Sequence, residues 1–418
     1  MKSLYVFGHN PIQHDSRSQP HVLQAPAISV LWASWCDLIV AREESAHLEY
    51  YGTSLTPDDV AHITQLRSSD QPVFFGRALD DGVRGFVVNR TRKLTIFMSP
   101  GSRFLSIGKA KGAVTRSFED MNLQIRSVQC LSGSKIFVST WSEIFRHEDQ
   151  DAKGMVVAFA SVLSFLHFLR TNISLNEYRE IFGKWGYPHT TVHSPLPIDI
   201  CANAPTMTAL NRSTHQVHTH AFDLRFPRCL GREDIDPPDW GKAHPVSYLS
   251  EIGARKIASG GYYTCVISKA SPSSSEDDDE EAGGELYIWG QAPPGTNREL
   301  SALRTTPSSD DQEAMEDPYV KCVDLRIDDL PADVMDVAVG WGHILVAAQA
   351  TKRQGTKKEI LRAVFAAGCN GKQQLGLQGK EKSRDFVEDF TEVEMLRGKK
   401  VVQLVCAGWT SHVVVEHD

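Results

Sequence analysis

The feature that most constrains the fold of this chain is an internal repeat, seen most clearly between Val334 and Leu377. This stretch predicts two short apolar strands around a glycine corner, then a loop, a third strand and a glycine-punctuated turn: VMDVAVGWGHILVAA, a polar break, ILRAVFAAGCNGKQQLGL. Each strand carries an apolar face that nothing inside the unit covers, so a single copy would not be stable. The chain must therefore contain further copies.

Three further copies of the corner are present. The C-terminal copy, VVQLVCAGWTSHVVVE, places Gly408-Trp409 where Gly340-Trp341 stands in the clearest repeat. A second copy has Gly260-Gly261 at its corner and continues to GELYIWG, and a third, weaker copy has Ser34-Trp35 and ends at Gly52. The runs that follow the corners are apolar and rich in Val and Ile, which favours strands over helices.

The two ends of the chain look like halves of one repeat. LYVFG, at Leu4 to Gly8, is the second half of a unit without a first half, and the C-terminal copy is a first half without a second. The distance from Ser34 to Gly52 is 18 positions, and the distance from Gly408 off the C-terminus and on to Gly8 is also 18. We therefore expect the termini to complete one sheet together and to close a ring, as in β-propellers.

The spacing of the corners predicts an all-β, seven-bladed β-propeller that uses residues 1–418 as a single domain. The corners at positions 34 and 260 leave room for about three more blades at a period of roughly 50 residues. Strand pairs are expected within 73–97 and 123–145, and a buried strand pair, with a buried helix as the alternative, at Met155 to Leu169. Residues 171–245 are predicted to be a divergent, loop-rich insertion with one good strand candidate, His218 to Phe226.

These motifs resemble the repeats of the regulator of chromosome condensation (RCC) family. The resemblance is carried by the Gly-Gly and Gly-Trp corners, by a strand that ends in Trp289-Gly290, and by the run Asn370 to Gly376. The family's usual histidine after the corner is His343, whereas Tyr263, Ser411 and Asp37 take that place in the other copies. The resemblance implies a seven-bladed propeller, and the closure at the ends is similar to that of the fungal alpha-tubulin suppressor type.

Composition excludes several classes of function. A net charge of −8 argues against general binding to a phosphate backbone, so nucleic acid is an unlikely partner. The eight cysteines form no Cys-x-x-Cys pair and predict free thiols in the cytoplasm, the nucleus or both. No basic-then-apolar leader opens the chain, and the run Met155 to Leu169 is shorter than the roughly 20 residues that span a bilayer.

Two charged segments are inserted into the same hairpin of successive repeats and should leave the same face of the ring. The first, within 271–284, is an acidic run that is expected to be disordered, and the second, TKRQGTKKE, is basic. They form either a docking surface for a partner or solubilising loops without one. The candidate partner-binding residues are Glu276, Asp277, Asp278, Asp279, Lys352, Arg353, Lys357 and Lys358.

The search for catalytic and metal-binding patterns is mostly negative. The sequence has no phosphate-binding loop, nucleophile elbow, His-Glu-x-x-His or dinucleotide fingerprint, and no cofactor is expected. The one metal-like cluster fits surface or strand-face histidines as well as it fits zinc, because no Cys or carboxylate completes the set convincingly. Its members are His189, His193, His215, His218 and His220.

The corner tryptophans Trp35, Trp341 and Trp409 complete the candidate site. They are expected either to pack between blades or to lie exposed at the rim, where aromatic residues anchor protein interfaces. The sequence therefore predicts a non-enzymatic interaction platform for one or more proteins, monomeric outside its complex and acting as a regulatory or scaffolding subunit. The alternative, implied by the founder of the family, is a guanine-nucleotide exchange factor for a small GTPase.

Overall fold

Seven four-element units surround a central axis, and each is one blade of a propeller. The structure is a computed structural model, and it describes the following residues: 1–12, 21–43, 45–79, 82–97, 114–117, 124–130, 136–141, 154–171, 189–194, 198–233, 243–269, 283–304, 317–354 and 357–417. The first strand of each blade lies innermost and the following strands lie progressively further out. The predicted all-β, seven-bladed propeller is confirmed.

The first three blades come from the N-terminal half of the chain. Blade 1 has three strands: β3 (Ile28–Ala33), β4 (Asp37–Arg42) and β5 (Glu49–Gly52). Blade 2 has four: β6 (Val73–Arg77), β7 (Gly82–Val88), β8 (Lys93–Ile96) and β9 (Val114–Ser117). Blade 3 also has four: β10 (Gln124–Cys130), β11 (Ile136–Trp141), β12 (Gly154–Phe159) and β13 (His189–Ser194).

The next three blades follow in order. Blade 4 contains β14 (Ile198–Ala202), β15 (Thr206–Asn211), β16 (Val217–Ala221) and β17 (His244–Pro245). Blade 5 contains β18 (Ala254–Gly260), β19 (Tyr263–Ser268), β20 (Leu286–Gly290) and β21 (Lys321–Val323). A hairpin of β22 (Arg326–Ile327) and β23 (Leu330–Pro331) leads to blade 6, which contains β24 (Asp333–Val339), β25 (His343–Gln354), β26 (Lys357–Cys369) and β27 (Phe386–Glu392).

Blade 7 closes the ring with strands from both ends of the chain. It contains β28 (Lys400–Ala407), β29 (Thr410–Glu416), β1 (Lys2–Gly8) and β2 (His21–Ala25), in the order β2-β1-β29-β28. The pairing of β1 with β29 runs in register from Lys2 opposite Glu416 to Gly8 opposite Thr410. The predicted closure by the two termini is confirmed.

The apolar cores lie between the blades rather than in one centre. The described residues form seven buried clusters, and each joins the facing sides of two consecutive blades. In the cluster between blades 7 and 1, for example, Leu4 and Val414 pack with Val30 and Leu38. Because each blade covers the face of its neighbour, the repeat that could not be stable alone becomes stable in the closed ring.

Two helices replace or supplement outer strands. In blade 1, α1 (Pro57–Thr64) takes the outer position, and its buried Ile63 joins the cluster between blades 1 and 2. In blade 3, α2 (Val162–Thr171) follows β12, and the backbone N–H of Ser164 donates to Ser161 Oγ at 3.1 Å at its start. The predicted strand pair at Met155 to Leu169 was therefore wrong, because Ser161 ends the strand and caps a helix. None of the helices that the structure describes is long and apolar enough to cross a membrane.

The prediction of long loops across 171–245 was wrong for the part of this range that the structure describes. Five strands, β13 to β17, lie there, and the strand predicted at His218 to Phe226 ends at Ala221. Blade 4 lacks a simple apolar alternation because buried threonines take apolar positions. Thr219 Oγ1, for example, donates to the carbonyl of Leu230 at 2.9 Å and needs no water.

Candidate protein-interaction surfaces

The corners between the first and second strands of the blades meet on one face of the ring, which we call the corner face. Neighbouring corners are joined by backbone hydrogen bonds: Trp35 N–H donates to the carbonyl of Ala78 at 2.9 Å, and Trp341 N–H donates to that of Gly408 at 2.9 Å. Ala204 N–H likewise donates to the carbonyl of Gly261 at 2.7 Å. These bonds fix the corners as a rigid rim around the axis.

Aromatic side chains follow this rim across five consecutive blades, and we call them the aromatic arc. The rings of Trp35 and Trp409 lie 6.2 Å apart, those of Trp341 and Tyr262 lie 5.8 Å apart, and those of Tyr262 and Phe226 lie 5.1 Å apart. Trp409 is 36% exposed and the other four are half-buried. The fold thus brings the three predicted tryptophans onto one face, where they both pack across blades and reach the surface.

Sequence reasoning missed two members of the arc. Tyr262 follows the Gly260-Gly261 corner and occupies the second position of the turn, as Trp409 does in blade 7. Phe226 lies between the last two strands of blade 4, and Leu224 beside it is 41% exposed. A comparison of turn positions among the repeats would have found Tyr262, but the sequence around Phe226 carries no repeat signal.

A cavity lies on the axis of the ring, and Trp341 of the aromatic arc contributes to its wall. This cavity, of about 430 Å³, is lined by the corner ends of all seven innermost strands, including Ala33, Cys130, Gly260 and Ala407. Burial raises the pKa of the Cys130 thiol to about 12, against the opposing effect of Arg77 and Arg84, so the thiol is protonated at neutral pH. Among the described residues that line the cavity, Arg77 is the only one with a charged side chain, and the others are apolar or neutral.

Buried polar groups lie directly under the rim. In blade 1 the carboxylate of Asp37, fully buried, accepts hydrogen bonds from Tyr50 Oη at 2.6 Å, Ser54 Oγ at 2.6 Å and the N–H of Val83 at 2.9 Å. In blade 6 the buried His343 places Nε2 3.0 Å from Ser411 Oγ. Burial lowers the pKa of His343 to about 4, so its ring is neutral at pH 7.

The predicted basic loop is part of a long hairpin on the face opposite the corner face. Lys352 pairs with Glu359 and Arg353 with Lys358, because the register of β25 and β26 continues to the pair Gln354 and Lys357. The loop prediction for TKRQGTKKE was therefore wrong, since strand pairing continues almost to its tip. The acidic residues Glu276, Asp277, Asp278 and Asp279 lie outside the described residues.

The described residues on either side of the acidic segment lie on the same side of the ring as the basic hairpin. Lys269, after β19, and Gly283, before β20, lie at the same end of blade 5 as the β25–β26 tip does in blade 6. The rim aromatics and the described basic residues therefore lie on opposite faces. The structure brings together the tryptophans of the predicted site but separates them from Lys352, Arg353, Lys357 and Lys358.

The described histidines of 189–220 do not form one cluster. His189 and His193 fall in β13 of blade 3, His215 Nδ1 lies 3.1 Å from the carbonyl of Ala254, and the His220 ring contacts Phe137 edge-on at 5.7 Å. Burial lowers the pKa of His218, and the nearby His244 contributes. Among the residues that the structure describes, no group of three or more His, Cys, Asp or Glu could hold a metal ion.

Seven blades and a closure by strands from both termini define a seven-bladed β-propeller. No family model and no curated protein sequence matches the chain. Among solved structures it is similar to Prp20p from Saccharomyces cerevisiae, described together with its binding to Gsp1p and histones, at 13% identity and a TM-score of 0.54. That match covers 99% of this chain and 91% of Prp20p.

A second solved structure gives the same result. Yeast RCC1 (Prp20) bound to Kap60 is 14% identical, with a TM-score of 0.54, over 99% of this chain and 88% of that one. The resemblance carried by Trp289-Gly290 and by Asn370 to Gly376 is thus confirmed at the level of the fold. Trp289 is fully buried and donates from Nε1 to the carbonyl of Cys229 at 3.1 Å.

Proposed function

We propose that this protein is a non-enzymatic interaction platform, a regulatory or scaffolding subunit that holds another protein against its corner face. The aromatic arc carries the proposal. Five aromatic side chains from five consecutive blades lie on one face of the ring, and Trp409 and Leu224 rank among the most exposed large apolar side chains of the described residues. Large aromatic side chains on a rigid support are the residues that most often dominate the energy of protein interfaces.

The cytoplasmic or nuclear location belongs to the same proposal. All eight cysteines are free, and burial raises the pKa of several of their thiols, including Cys201 and Cys406, to about 12. Unpaired, unreactive thiols fit a reducing compartment. The protein is proposed to be a monomer outside its complex.

The experiment is affinity purification of the full chain from its own cells. Trp409→Ala should lose the main partner, because it removes the most exposed ring of the arc. Val22→Ala is the matched control, since Val22 is 38% exposed on the outer strand of blade 7, away from the rim. If Trp409→Ala retains every partner and deletion of 271–284 or 351–359 removes them, the binding face is the opposite one.

Guanine-nucleotide exchange is the second candidate function. Its support is the fold shared with Prp20p, a protein described by its binding to Gsp1p. Exchange requires an element that displaces the magnesium ion and the phosphate-binding loop of the GTPase. A nucleotide-release assay with the purified chain and a panel of small GTPases tests it, and stimulated release from one member would favour exchange over the platform.

A further inference from the structure

The face opposite the aromatic arc carries a positively charged depression, which we call the basic trough. Two cavities, of about 680 Å³ and about 570 Å³, share Met335 in their walls and extend from blade 3 to blade 7. Among the residues that the structure describes, two carboxylates line them, those of Asp199 and Asp336. Seven basic side chains do so: Arg126, Arg212, Arg255, Lys256, Arg362, Lys399 and Lys400.

A β-bulge that recurs in the innermost strands explains why several of these side chains point into the trough. The pairing of the first strand with the second skips one residue in several blades, and the skipped residues include Arg126 in β10, Arg255 in β18 and Met335 in β24. Val402 is skipped in the same way in β28. A bulge re-aims the side chain of the extra residue, and all four of these side chains line the trough.

The two carboxylates of the trough are already engaged. Asp199 forms an ion pair with Arg212, and Asp336 forms one with Lys256 while its second oxygen accepts from Leu404 N–H at 2.9 Å. At the edge of the trough, Lys400 forms an ion pair with Glu416 at 2.8 Å. More basic than acidic groups line the trough, although the chain as a whole has a net charge of −8.

We propose that the basic trough binds an acidic segment of a partner protein, a run of Asp and Glu side chains in an extended conformation. Arginine guanidinium groups bind carboxylates through paired hydrogen bonds, and four arginines here come from four different blades. The inference rests on the proposed function and deepens it, because it adds a second contact surface and states the chemistry of what binds there.

The lining favours an acidic polypeptide over nucleic acid. Single-stranded nucleic acid is held by bases stacked on aromatic rings, and no aromatic side chain is among the described residues that line the trough. The aromatic arc lies on the other face. The carboxylates of Asp199 and Asp336 would also lie close to a phosphate backbone, whereas a peptide can place its side chains beside the basic groups and its neutral backbone elsewhere.

The test uses the full chain and a fluorescein-labelled peptide of ten glutamates, titrated by fluorescence anisotropy at low salt. We expect saturable binding by one peptide, which weakens as salt is added. Arg126→Glu with Arg362→Glu, one residue from each of the two cavities, should weaken binding by at least about tenfold. Lys372→Glu with Lys380→Glu makes the same change in charge on exposed lysines of the corner face and should alter the affinity by less than about twofold.

Several results would overturn the proposal. Absence of saturable binding, or equal loss in the two double variants, would mean that the trough is not a site. Tighter binding of a ten-nucleotide thymidine oligomer, lost only in the trough variant, would assign the trough to nucleic acid. If Arg126→Glu with Arg362→Glu unfolds on heating at a lower temperature than the parent, Arg126→Gln with Arg362→Gln replaces it. This variant should also bind the peptide more weakly than the parent.

The proposed function can fail separately. Loss of cellular partners in Trp409→Ala, together with no peptide binding by the parent chain, would leave the platform standing and remove the trough. If Trp409→Ala retains the partners and the trough variant loses them, the trough would stand and the aromatic arc would not be the binding surface.

Discussion

The junction between blades 1 and 2 and the junction between blades 6 and 7 are built at the same place with different chemistry. Asp37 and His343 are each the first residue of the second strand in their blade, and both are fully buried. Asp37 accepts from the N–H of Val83 in blade 2, whereas His343 Nε2 lies 3.0 Å from Ser411 Oγ and 3.3 Å from the carbonyl of Thr410 in blade 7.

The comparison shows that the fold accepts different buried residue types at this position and does not require the histidine of the clearest repeat. Blade 4 has Thr206 at the same place and blade 5 has Tyr263, both fully buried. A carboxylate, an imidazole, a hydroxyl and a phenol can each occupy this position, which is the first residue of the strand that follows the corner. A chain can therefore keep the propeller while its sequence departs far from the repeat pattern, as the 13% identity to Prp20p shows.

The largest expected loss of stability is at the junction between blades 1 and 2, where Asp37 lies. Asp37→Ala removes the acceptor for Tyr50, Ser54 and Val83 and leaves buried donors without a partner. The free energy of unfolding should fall by about 3–5 kcal/mol, because several donors lose their acceptor at once and each unsatisfied buried group costs about 1–3 kcal/mol. Urea unfolding followed by fluorescence measures it.

Tyr50→Phe is the matched control for that change, since it deletes one 2.6 Å hydrogen bond and leaves the carboxylate with its other donors. It should cost only about 1–2 kcal/mol. Equal losses in the two variants would contradict the view that Asp37 joins the blades and would reduce it to the partner of a single phenol.

The junction between blades 6 and 7, where His343 lies, should make the stability of the protein depend on pH. Burial lowers the pKa of both His343 and His412 to about 4, well below the value near 6.5 of an exposed histidine. Between pH 6.5 and pH 4 the unfolded chain binds more protons than the folded chain, so the free energy of unfolding should fall as pH falls through this window. We expect each of the two histidines to contribute a loss on the order of 2 kcal/mol between pH 7 and pH 5.

Substitutions distinguish the contributions of His343 and His412 to this pH dependence. His343→Gln keeps a polar group that can reach Ser411 but does not titrate, so the pH dependence should become shallower. His343→Gln with His412→Leu should remove most of it. If urea midpoints at pH 5 and pH 7 differ as much in the double variant as in the parent, other groups carry the dependence.

The sequence predicted the ring but not its register. Repeated corners and the two half-units at the ends were enough for seven blades and for the closure, because each is a local pattern of glycine and apolar residues. The alignment of Gly408-Trp409 with Gly340-Trp341 was wrong by one residue. Pairing places Thr410 opposite Gly8, as His343 lies opposite Gly368, so Thr410 and not Ser411 is the counterpart of His343.

The physical reason is the turn. The positive φ falls on the first turn residue in blade 7, Gly408 at 56°, and on the second in blade 6, Gly342 at 75°. A Gly-Trp pair can therefore lie across either position. The basic trough was missed for a related cause: Arg126, Arg255 and Lys400 are single residues in separate repeats, and only the folded ring brings them together.

The smallest effect should come from the close packing of the corner backbones at the junction between blades 7 and 1, where Thr410 Oγ1 also donates to the carbonyl of Ser34 at 3.4 Å. A Cβ on Gly408 would lie 2.7 Å from Trp35 Cβ and 2.9 Å from Trp35 N. Gly379 has a similar φ of 61° but nothing within 4 Å of an added Cβ, so Gly379→Ala measures the backbone strain alone. Gly408→Ala should lower the free energy of unfolding by about 1–2 kcal/mol more than Gly379→Ala. Equal losses in urea unfolding would mean that the rim yields at Trp35 and that the corner contacts do not fix the position of blade 1.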